Sequence, residues 1–268
     1  MLHAVVIGVD APRDPKIRPL EYACADAEGI AAVLSERADR ERQITLLVGD
    51  RATKSRVARV ITDELPRRVK PDDAVLLYFA GHGCPELDGR GADPSIHIVL
   101  HDTEHARLQA TSIDVLSELA AWARRLQTRV VTIVLDASFN GMKGGRTFEG
   151  PGLWSGPRTR TLDRISPSRA AVGGHFALLT ACSEKEVARE DPIYRHGVLT
   201  HHVIAALRGP DLEGKTLTAA MLHRAVCEPV QESTNGAQHP AVHGGGIHAP
   251  LLRLEAHALA TPSPGAVT

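Results

Sequence analysis

Short apolar runs alternate along the chain with longer segments in which apolar residues recur every three or four positions. The runs predict β-strands, and the recurring spacing predicts amphipathic helices. Strands are predicted at residues 4–9, 44–48, 74–80, 96–100, 130–135, 176–180 and 247–252. Helices are predicted at residues 22–37, 54–65, 112–126, 198–207 and 217–232. This alternation favours an α/β fold in which helices cover both faces of a mostly parallel sheet.

Residues 146–174 interrupt the pattern. They are rich in Gly, Pro, Ser and Arg and show no sustained periodicity. A loop of this length inside a compact domain is usually functional. We therefore predict a single domain over residues 1–256, in which the loop joins two halves at 1–145 and 175–256, and a flexible tail at 257–268.

Composition narrows the class of protein. Hydrophobic residues make up 43% of the 268 positions and charged residues 24%, as in ordinary globular proteins. Aromatic residues make up only 3%, and 31 basic residues are balanced by 32 acidic ones, which argues against nucleic acid as the main partner. No apolar run approaches the length of a membrane span, and no basic leader precedes the first strand. We expect a cytoplasmic protein without a membrane partner.

The cysteines and histidines do not predict a metal site. The four cysteines include no closely spaced pair, which argues against both a zinc ribbon and a disulfide framework. His239, His243 and His248 lie among glycines, and we interpret them as part of a solvated loop. No cofactor is expected.

Two predicted strands end in small polar turns, AGHG around His82 and DASFNG around Ser138. In open α/β sheets the chemistry gathers at the carboxyl ends of the strands. The glycines beside His82 leave its imidazole uncovered and let backbone N–H groups face an anionic ligand. If the two strands are neighbours, the Ser138 hydroxyl lies within hydrogen-bond reach of that imidazole. The alternatives are a histidine satisfied by the backbone and a serine that caps the segment after it.

These two turns resemble motifs of the caspase and metacaspase family of cysteine peptidases. YFAGHG at 78–83 is similar to the strand end that supplies the family's histidine, and DASFNG at 136–141 to the Asp-x-Cys-x-x-Gly strand end that supplies its thiol. LEYACADA at 20–27 resembles the first helix, and LTAC at 179–182 with HGVLT at 196–200 resembles the smaller carboxyl-terminal half. The resemblance implies a caspase-hemoglobinase three-layer sandwich with about six central strands, and a compact, stand-alone endopeptidase of the bacterial kind.

Ser138 stands where the family has its nucleophilic cysteine. The resemblance implies that residue 138 attacks the scissile carbonyl, that His82 transfers protons, and that the N–H groups of Gly83 and Ser138 hold the oxyanion. A serine hydroxyl is a much weaker nucleophile than a thiol and usually needs a complete triad. We therefore expect the chain to be inactive or severely slowed and Ser138→Cys to restore activity. Natural loss of the cysteine and deliberate replacement of it both explain the serine, and the otherwise intact motifs favour the second.

The resemblance also implies a preference for the residue before the cleaved bond. Asp26 and Asp136 match the acidic pocket of metacaspases that cut after Arg or Lys, and Ala80 is expected beside them. Leu20 occupies the position of the pocket arginine in Asp-specific caspases, and Arg18 lies two residues away. We expect cleavage after Arg or Lys, and an Asp26→Ala protein that folds but no longer cleaves. The alternative for Asp26 is a solvated charge in the first turn of a helix.

The long loop is expected to be the site of self-cleavage in an active form. The candidates are the arginines of its central part: Arg158, Arg160, Arg164 and Arg169. The alternative is a solvated basic loop. The resemblance implies that the whole loop is a processing segment.

Other properties follow less directly. Asp88, Asp93 and Asp102 lack convincing ligand spacing, so calcium activation is not supported. A protein or peptide substrate is the expected partner, with a monomer or a weak homodimer pairing through residues 247–252. An inactive scaffold that binds peptides remains an alternative. A flavodoxin-like binding domain is the weakest, because no glycine-rich phosphate loop follows the first strand.

Overall fold

A computed structural model describes residues 1–38, 41–86, 95–123, 125–139, 145–147, 176–183 and 185–255. Its strands are β1 (Leu2–Gly8), β2 (Arg42–Val48), β3 (Ala74–Ala80), β4 (Gly83–Glu86), β5 (Ser95–Ile98), β6 (Ile113–Asp114), β7 (Val130–Asp136), β8 (Phe176–Thr180), β9 (Glu190–Asp191), β10 (His196–Gly197), β11 (Thr216–Leu217), β12 (Ala241–His243) and β13 (Leu252–Arg253). Its α-helices are α1 (Ala23–Arg37), α2 (Lys54–Arg59), α3 (Leu108–Thr111), α4 (Ala120–Ala123), α5 (Val198–Arg208) and α6 (Ala219–Ser233). The chain also contains single π-helical turns at Val60–Glu64 and Val115–Leu119, and 3-10 turns at Gly49–Arg51, His105–Arg107 and Pro210–Leu212.

The central sheet has six strands in the order β12-β8-β7-β3-β1-β2. All neighbouring pairs are parallel except β12 with β8. The inner strands β1, β3, β7 and β8 are mostly apolar and buried along almost their whole length, as expected for a sheet that is covered on both faces. The edge strand β2 begins instead with the exposed Arg42 and Gln43. The predicted mostly parallel sheet of about six strands is confirmed.

Each face of the sheet carries its own hydrophobic core. Ala4 and Val6 of β1 belong to the core that contains residues of α1, α5 and α6, whereas Val5 and Ile7 belong to the opposite core, which contains residues of α2 and the π-helical turns. Alternate side chains of an extended strand point to opposite faces, which explains this division. The helices therefore cover both faces, as the sequence predicts.

Two predicted elements differ from the structure in the region after His82. The strand predicted at 96–100 lies outside the central sheet, in an antiparallel sheet of order β4-β5-β6. The helix predicted at 112–126 begins as strand β6 and becomes helical only from Val115. The reason is local: Ser112 Oγ hydrogen-bonds to His97 Nδ1 at 2.8 Å, and β6 pairs with β5, so the backbone here is held in the extended form.

The predicted edge strand at 247–252 is wrong. The edges of the central sheet are β12 and β2. Only Leu252 of the predicted segment is in a strand, β13, which pairs with β11. Pairing with β8 ends where Gly246 N donates to the Phe176 carbonyl, and Leu251 is buried in the core beside α5 and α6. Residues 247–252 are therefore not the edge strand through which a homodimer contact is expected, and the monomer or weak homodimer stays a prediction.

Several predictions fall outside the described residues. They are the arginines Arg158, Arg160, Arg164 and Arg169, the acidic residues Asp88 and Asp93, and the tail at 257–268. Among the helices that are described, none has both the length and the apolar composition needed to cross a bilayer.

Candidate active site

The turns after β3 and β7 lie side by side at the carboxyl edge of the sheet. The two strands are parallel neighbours in which Ala80 pairs with Asp136, and His82 and Ser138 each follow two residues later. Gly81 N donates to the Asp136 carbonyl at 3.3 Å. A Cβ on Gly83 would lie 2.3 Å from the Ser138 carbonyl oxygen, so only glycine lets the two turns approach this closely. The sheet register thus brings the two predicted motifs together.

A backbone carbonyl orients His82. The imidazole is buried, and its Nε2 lies 2.6 Å from the Arg18 carbonyl oxygen. Because a carbonyl only accepts, Nε2 carries the proton and Nδ1 is the basic nitrogen of the neutral ring. Burial lowers the pKa of His82 to about 4. The sequence shows no third carboxylate for this histidine, and the structure places a main-chain oxygen in that orienting position.

The burial of His82 predicts a specific loss of stability in acid. In the unfolded chain His82 is protonated below its ordinary pKa of 6.5, whereas in the folded chain it stays neutral down to about pH 4. The stability that is fully present above pH 6.5 is therefore lost progressively as the pH falls. We expect this group to account for about 3 kcal/mol of the decline in unfolding free energy between these limits. Urea unfolding across this range should show a shallower decline for His82→Asn, and the wild-type decline for His248→Asn. Equal pH dependence of all three proteins would contradict the assignment.

Two backbone N–H groups converge on one carbonyl oxygen. Gly83 N and Ser138 N donate to the Arg146 carbonyl at 2.9 and 3.1 Å. Paired N–H donors of this kind stabilise the oxyanion of a tetrahedral intermediate. Ser138 is buried, and within the described part of the chain its Oγ has no hydrogen-bond partner. No capping bond is seen there, and the hydrogen bond between Ser138 and His82 that the sequence suggests is not formed either.

Three carboxylates surround the buried guanidinium of Arg146. Asp136 Oδ2 lies 3.1 Å from Nη1, Glu190 Oε1 lies 3.1 Å from Nη2, and Asp26 Oδ2 also contacts Nη2. The Arg146 side chain is 0% exposed. Burial alone would favour loss of the charge, but the carboxylates outweigh it and raise the pKa of Arg146 well above its usual range. The pocket is therefore built to hold a cation.

Asp26 is held from several sides. Although it lies in the first turn of α1, it is 0% exposed, and it accepts hydrogen bonds from Gly197 N at 3.0 Å and from His196 Nδ1 at 2.8 Å. The interpretation of Asp26 as a solvated helix charge is therefore wrong. The expectation that Asp26→Ala leaves the fold unaffected also needs correction, because the change would leave buried donors without an acceptor.

Asp136 is fixed by the start of α5. Its Oδ2 accepts from Thr200 N at 3.1 Å and from Thr200 Oγ1 at 2.5 Å, and the Tyr78 hydroxyl hydrogen-bonds to the same Thr200 oxygen. Burial raises the pKa of Asp136, and the neighbouring Arg146 opposes that rise. The pocket is narrow, because a Cβ on Gly197 would lie 2.7 Å from Arg146 Nη1.

The remaining predicted pocket residues lie at different depths. Ala80 is buried at the end of β3, paired with Asp136. Leu20 belongs to the hydrophobic core, so it does not line the pocket. Arg18 lies at the mouth, where its Nη2 donates to the Gly145 carbonyl at 2.6 Å beside a groove of about 410 Å³.

Sequence reasoning missed part of the pocket. Glu190 lies on β9, which pairs with β10 and so comes beside Gly197. The only sequence signal for this region is the HGVLT string at 196–200, which contains Gly197 and Thr200 but not the acidic partner. In the described part of the chain no group of three metal-ligating side chains is suited to hold an ion, and Asp102 accepts from Lys54 N at 2.9 Å.

Comparisons with known proteins agree with this architecture. A family model described as the caspase domain, of the peptidase C14 family, matches residues 1–249. The fold is similar to the crystal structure of protein GSU0716 from Geobacter sulfurreducens, with a TM-score of 0.67 and 17% identity over 94% of this chain and 97% of that one. At this identity the likeness concerns the fold alone. No curated protein matches the sequence. Because the family model covers nearly the whole chain, the chain belongs to the caspase-domain family of peptidases.

Proposed function

We propose that the chain has the active site of a caspase-like endopeptidase, which cleaves proteins after a basic residue, Arg in preference to Lys. The observation that carries this proposal is the Arg146 guanidinium, which is held by the buried Asp26 and Asp136 and the partly buried Glu190. Next to it, two backbone N–H groups donate to the Arg146 carbonyl oxygen. A planar cation suits such a pocket, because it can bond to several carboxylates at once. An aspartate side chain would be repelled by the same three groups, which argues against an Asp-specific enzyme.

The proposed dyad consists of His82 and residue 138. Nδ1 of the neutral His82 accepts the proton of the nucleophile and returns it to the leaving amine. With Ser138 in place we propose that this step is severely slowed, because an imidazole whose pKa is about 4 is a poor base for a hydroxyl. The serine itself favours the second candidate function, a catalytically inactive domain that binds a basic peptide.

Further features of the proposal concern the processing loop and partners. We propose self-processing of the cysteine form within residues 146–174, where the sequence offers Arg158, Arg160, Arg164 and Arg169. The partner is a protein or peptide substrate. No cofactor takes part in the proposed chemistry.

A substrate panel tests the proposed function. The Ser138→Cys protein is given fluorogenic peptides that end in Arg, Lys or Asp, with and without calcium. We expect hydrolysis after Arg, slower hydrolysis after Lys, and none after Asp. Cleavage after Asp alone would overturn the acidic pocket, and an absence of all cleavage would favour the peptide-binding domain.

Gly197→Ala tests the width of the pocket. In the Ser138→Cys protein this change should lower kcat/KM for arginyl peptides by about 100-fold, or about 2.7 kcal/mol, because the added methyl group meets the guanidinium. Lysyl peptides should lose less, because an ammonium is more compact. Gly214→Ala controls for a general loss of stability away from the pocket, since nothing lies within 4 Å of its Cβ and its φ of +67° strains only the backbone. Full activity of Gly197→Ala toward arginyl peptides would place the substrate elsewhere.

A further inference from the structure

Residues 145–147 lie across the candidate active site. The Arg146 side chain fills the acidic pocket, its carbonyl oxygen accepts from Gly83 N and Ser138 N, and its own N–H donates to the Ala188 carbonyl at 2.9 Å. On one side, the Gly145 carbonyl accepts from Arg18. On the other, Thr147 forms a β-bridge with Gly83. Every polar group of the Arg146 backbone is thus bound by the site.

We infer that residues 145–147 are a built-in occupant of the substrate cleft, in which Arg146 takes the place of the residue before the cleaved bond. The Arg146–Thr147 bond is then the bond presented to residue 138, and the uncut chain keeps its own pocket closed. This inference rests on the proposed function and assigns the self-cleavage site to an arginine at the start of the processing loop.

The position of the carbonyl distinguishes a bound substrate segment from a structural ion pair. A structural arginine would need partners for its guanidinium and, like any buried residue, some donor for its carbonyl oxygen, but that donor could come from anywhere nearby. The Arg146 carbonyl is placed between the N–H groups of the two catalytic turns, a position that the ion pairs do not require. The carbonyl carbon is therefore held next to residue 138, where attack would take place.

The sequence next to Arg146 is suited to this path. Gly145 has φ +57°, a conformation that other residues rarely adopt. A Cβ at this position would lie 2.0 Å from Val187 Cγ1 and 2.3 Å from the Ala188 carbonyl oxygen. Glycine is thus required at position 145 for residues 145–147 to bind in the cleft. Its replacement by alanine should displace the segment without changing any charge.

The chemistry is that of peptide hydrolysis within one chain. In the Ser138→Cys protein the sulfur attacks the Arg146 carbonyl carbon, and the thiol proton passes to His82. The Arg146–Thr147 C–N bond breaks, and His82 returns the proton to the new Thr147 amine. Water then hydrolyses the thioester, which releases the Arg146 carboxylate and restores the thiol. In the serine chain the same bond stays uncut and the segment acts as a plug.

Intact mass and amino-terminal sequencing of the Ser138→Cys protein test the assigned bond. We expect two fragments, residues 1–146 and 147–268, at a rate that does not change on dilution, because the reaction is intramolecular. Adding Arg146→Ala should abolish this cut, whereas Arg158→Ala, the matched control in the same loop, should leave it unchanged. A cut that appears only after another arginine would overturn the inference.

Binding of p-aminobenzamidine, an arginine-like fluorescent probe, tests the plug in the serine chain. Gly145→Ala and Arg146→Ala should each bind the probe at least about tenfold more tightly than the wild type, since the pocket no longer holds its own occupant. Gly145→Ala removes no charged group from the chain, so Arg146 can still return to the carboxylates and the variant remains informative if Arg146→Ala fails to fold. Gly214→Ala, another glycine with positive φ but with open space around it, is the control. Equal binding by the wild type and Gly145→Ala would overturn the plug.

Two outcomes separate the proposed function from the occupied cleft. If the Ser138→Cys protein hydrolyses arginyl peptides while its own Arg146–Thr147 bond stays intact, the proposed function stands and this inference falls. If it hydrolyses neither the peptides nor itself, and Gly145→Ala in the same background is also inactive, the proposed function falls and takes the inference with it.

Discussion

Replacing Ser138 with cysteine is expected to raise kcat/KM for an arginyl peptide about a thousandfold, which corresponds to about 4 kcal/mol of transition-state stabilisation. The gain arises because a thiol loses its proton far more readily than a hydroxyl, while the paired N–H donors and the acidic pocket stay as they are. Initial rates on one fluorogenic arginyl amide, measured for the serine and cysteine proteins side by side, give the ratio.

The controls isolate residue 138. Ser138→Ala should be no more active than the serine chain, and His82→Asn should remove most of the gain from Ser138→Cys. Cys84, the thiol nearest to His82 in the chain, is buried in β4 with its Sγ bonded to the Pro85 carbonyl, so Cys84→Ser should change nothing. Comparable rates for the serine and cysteine proteins would refute the proposed dyad.

Replacing Asp26 with asparagine should both weaken catalysis and destabilise the fold. In the Ser138→Cys protein we expect kcat/KM for arginyl peptides to fall by at least about 100-fold, because a charge-assisted contact to the guanidinium is lost. The same change should lower the free energy of unfolding by about 3 kcal/mol, because it removes one partner from a buried ionic cluster. Peptide hydrolysis and urea unfolding measure the two effects.

The matched control is Glu28→Gln, which removes a negative charge from an exposed position on the same helix. Its activity and stability should stay close to those of the parent, because exposed charges contribute little. If Asp26→Asn behaved like Glu28→Gln in both assays, Asp26 would have no part in the pocket.

The sequence predicts well those features that depend on a single strand and the turn after it. The apolar runs that form β3 and β7 are long enough to be recognised as buried strands, and the turns after them carry His82 and Ser138. That the strands are neighbours follows from the family resemblance and from the α/β pattern, and the register Ala80 to Asp136 agrees with it. Local patterns are enough to locate His82 and Ser138, because the strands that precede them are neighbours in the sheet and end at the same edge.

Glu190 could not be predicted in the same way. It lies in a strand of two residues, too short for any periodic pattern, and it reaches the pocket only because β9 pairs with β10 ahead of α5. The prediction of an edge strand at residues 247–252 is wrong for a related reason. The apolar residues of 247–252 look like a strand, but Leu251 is buried under the helices instead.

The role of Arg146 is the feature of the site that the sequence predicts least well. Along the sequence it is one of several arginines in a loop without periodicity, and nothing in composition separates it from Arg158 or Arg169. Only the folded path of residues 145–147, with the left-handed Gly145, places its guanidinium among the three carboxylates. A residue that no sequence pattern connects to a pocket can therefore still fill that pocket in the folded chain.

Covalent labelling of the Ser138→Cys protein tests the central claim most directly. The reagents are two peptide acyloxymethyl ketones that differ only in having Arg or Asp before the reactive carbonyl, and the modified residue is mapped by mass spectrometry. The account predicts a single label at position 138 from the arginyl reagent, and its loss when His82→Asn is added. Labelling of position 138 by the aspartyl reagent alone, or of Cys84 in its place, would contradict the account.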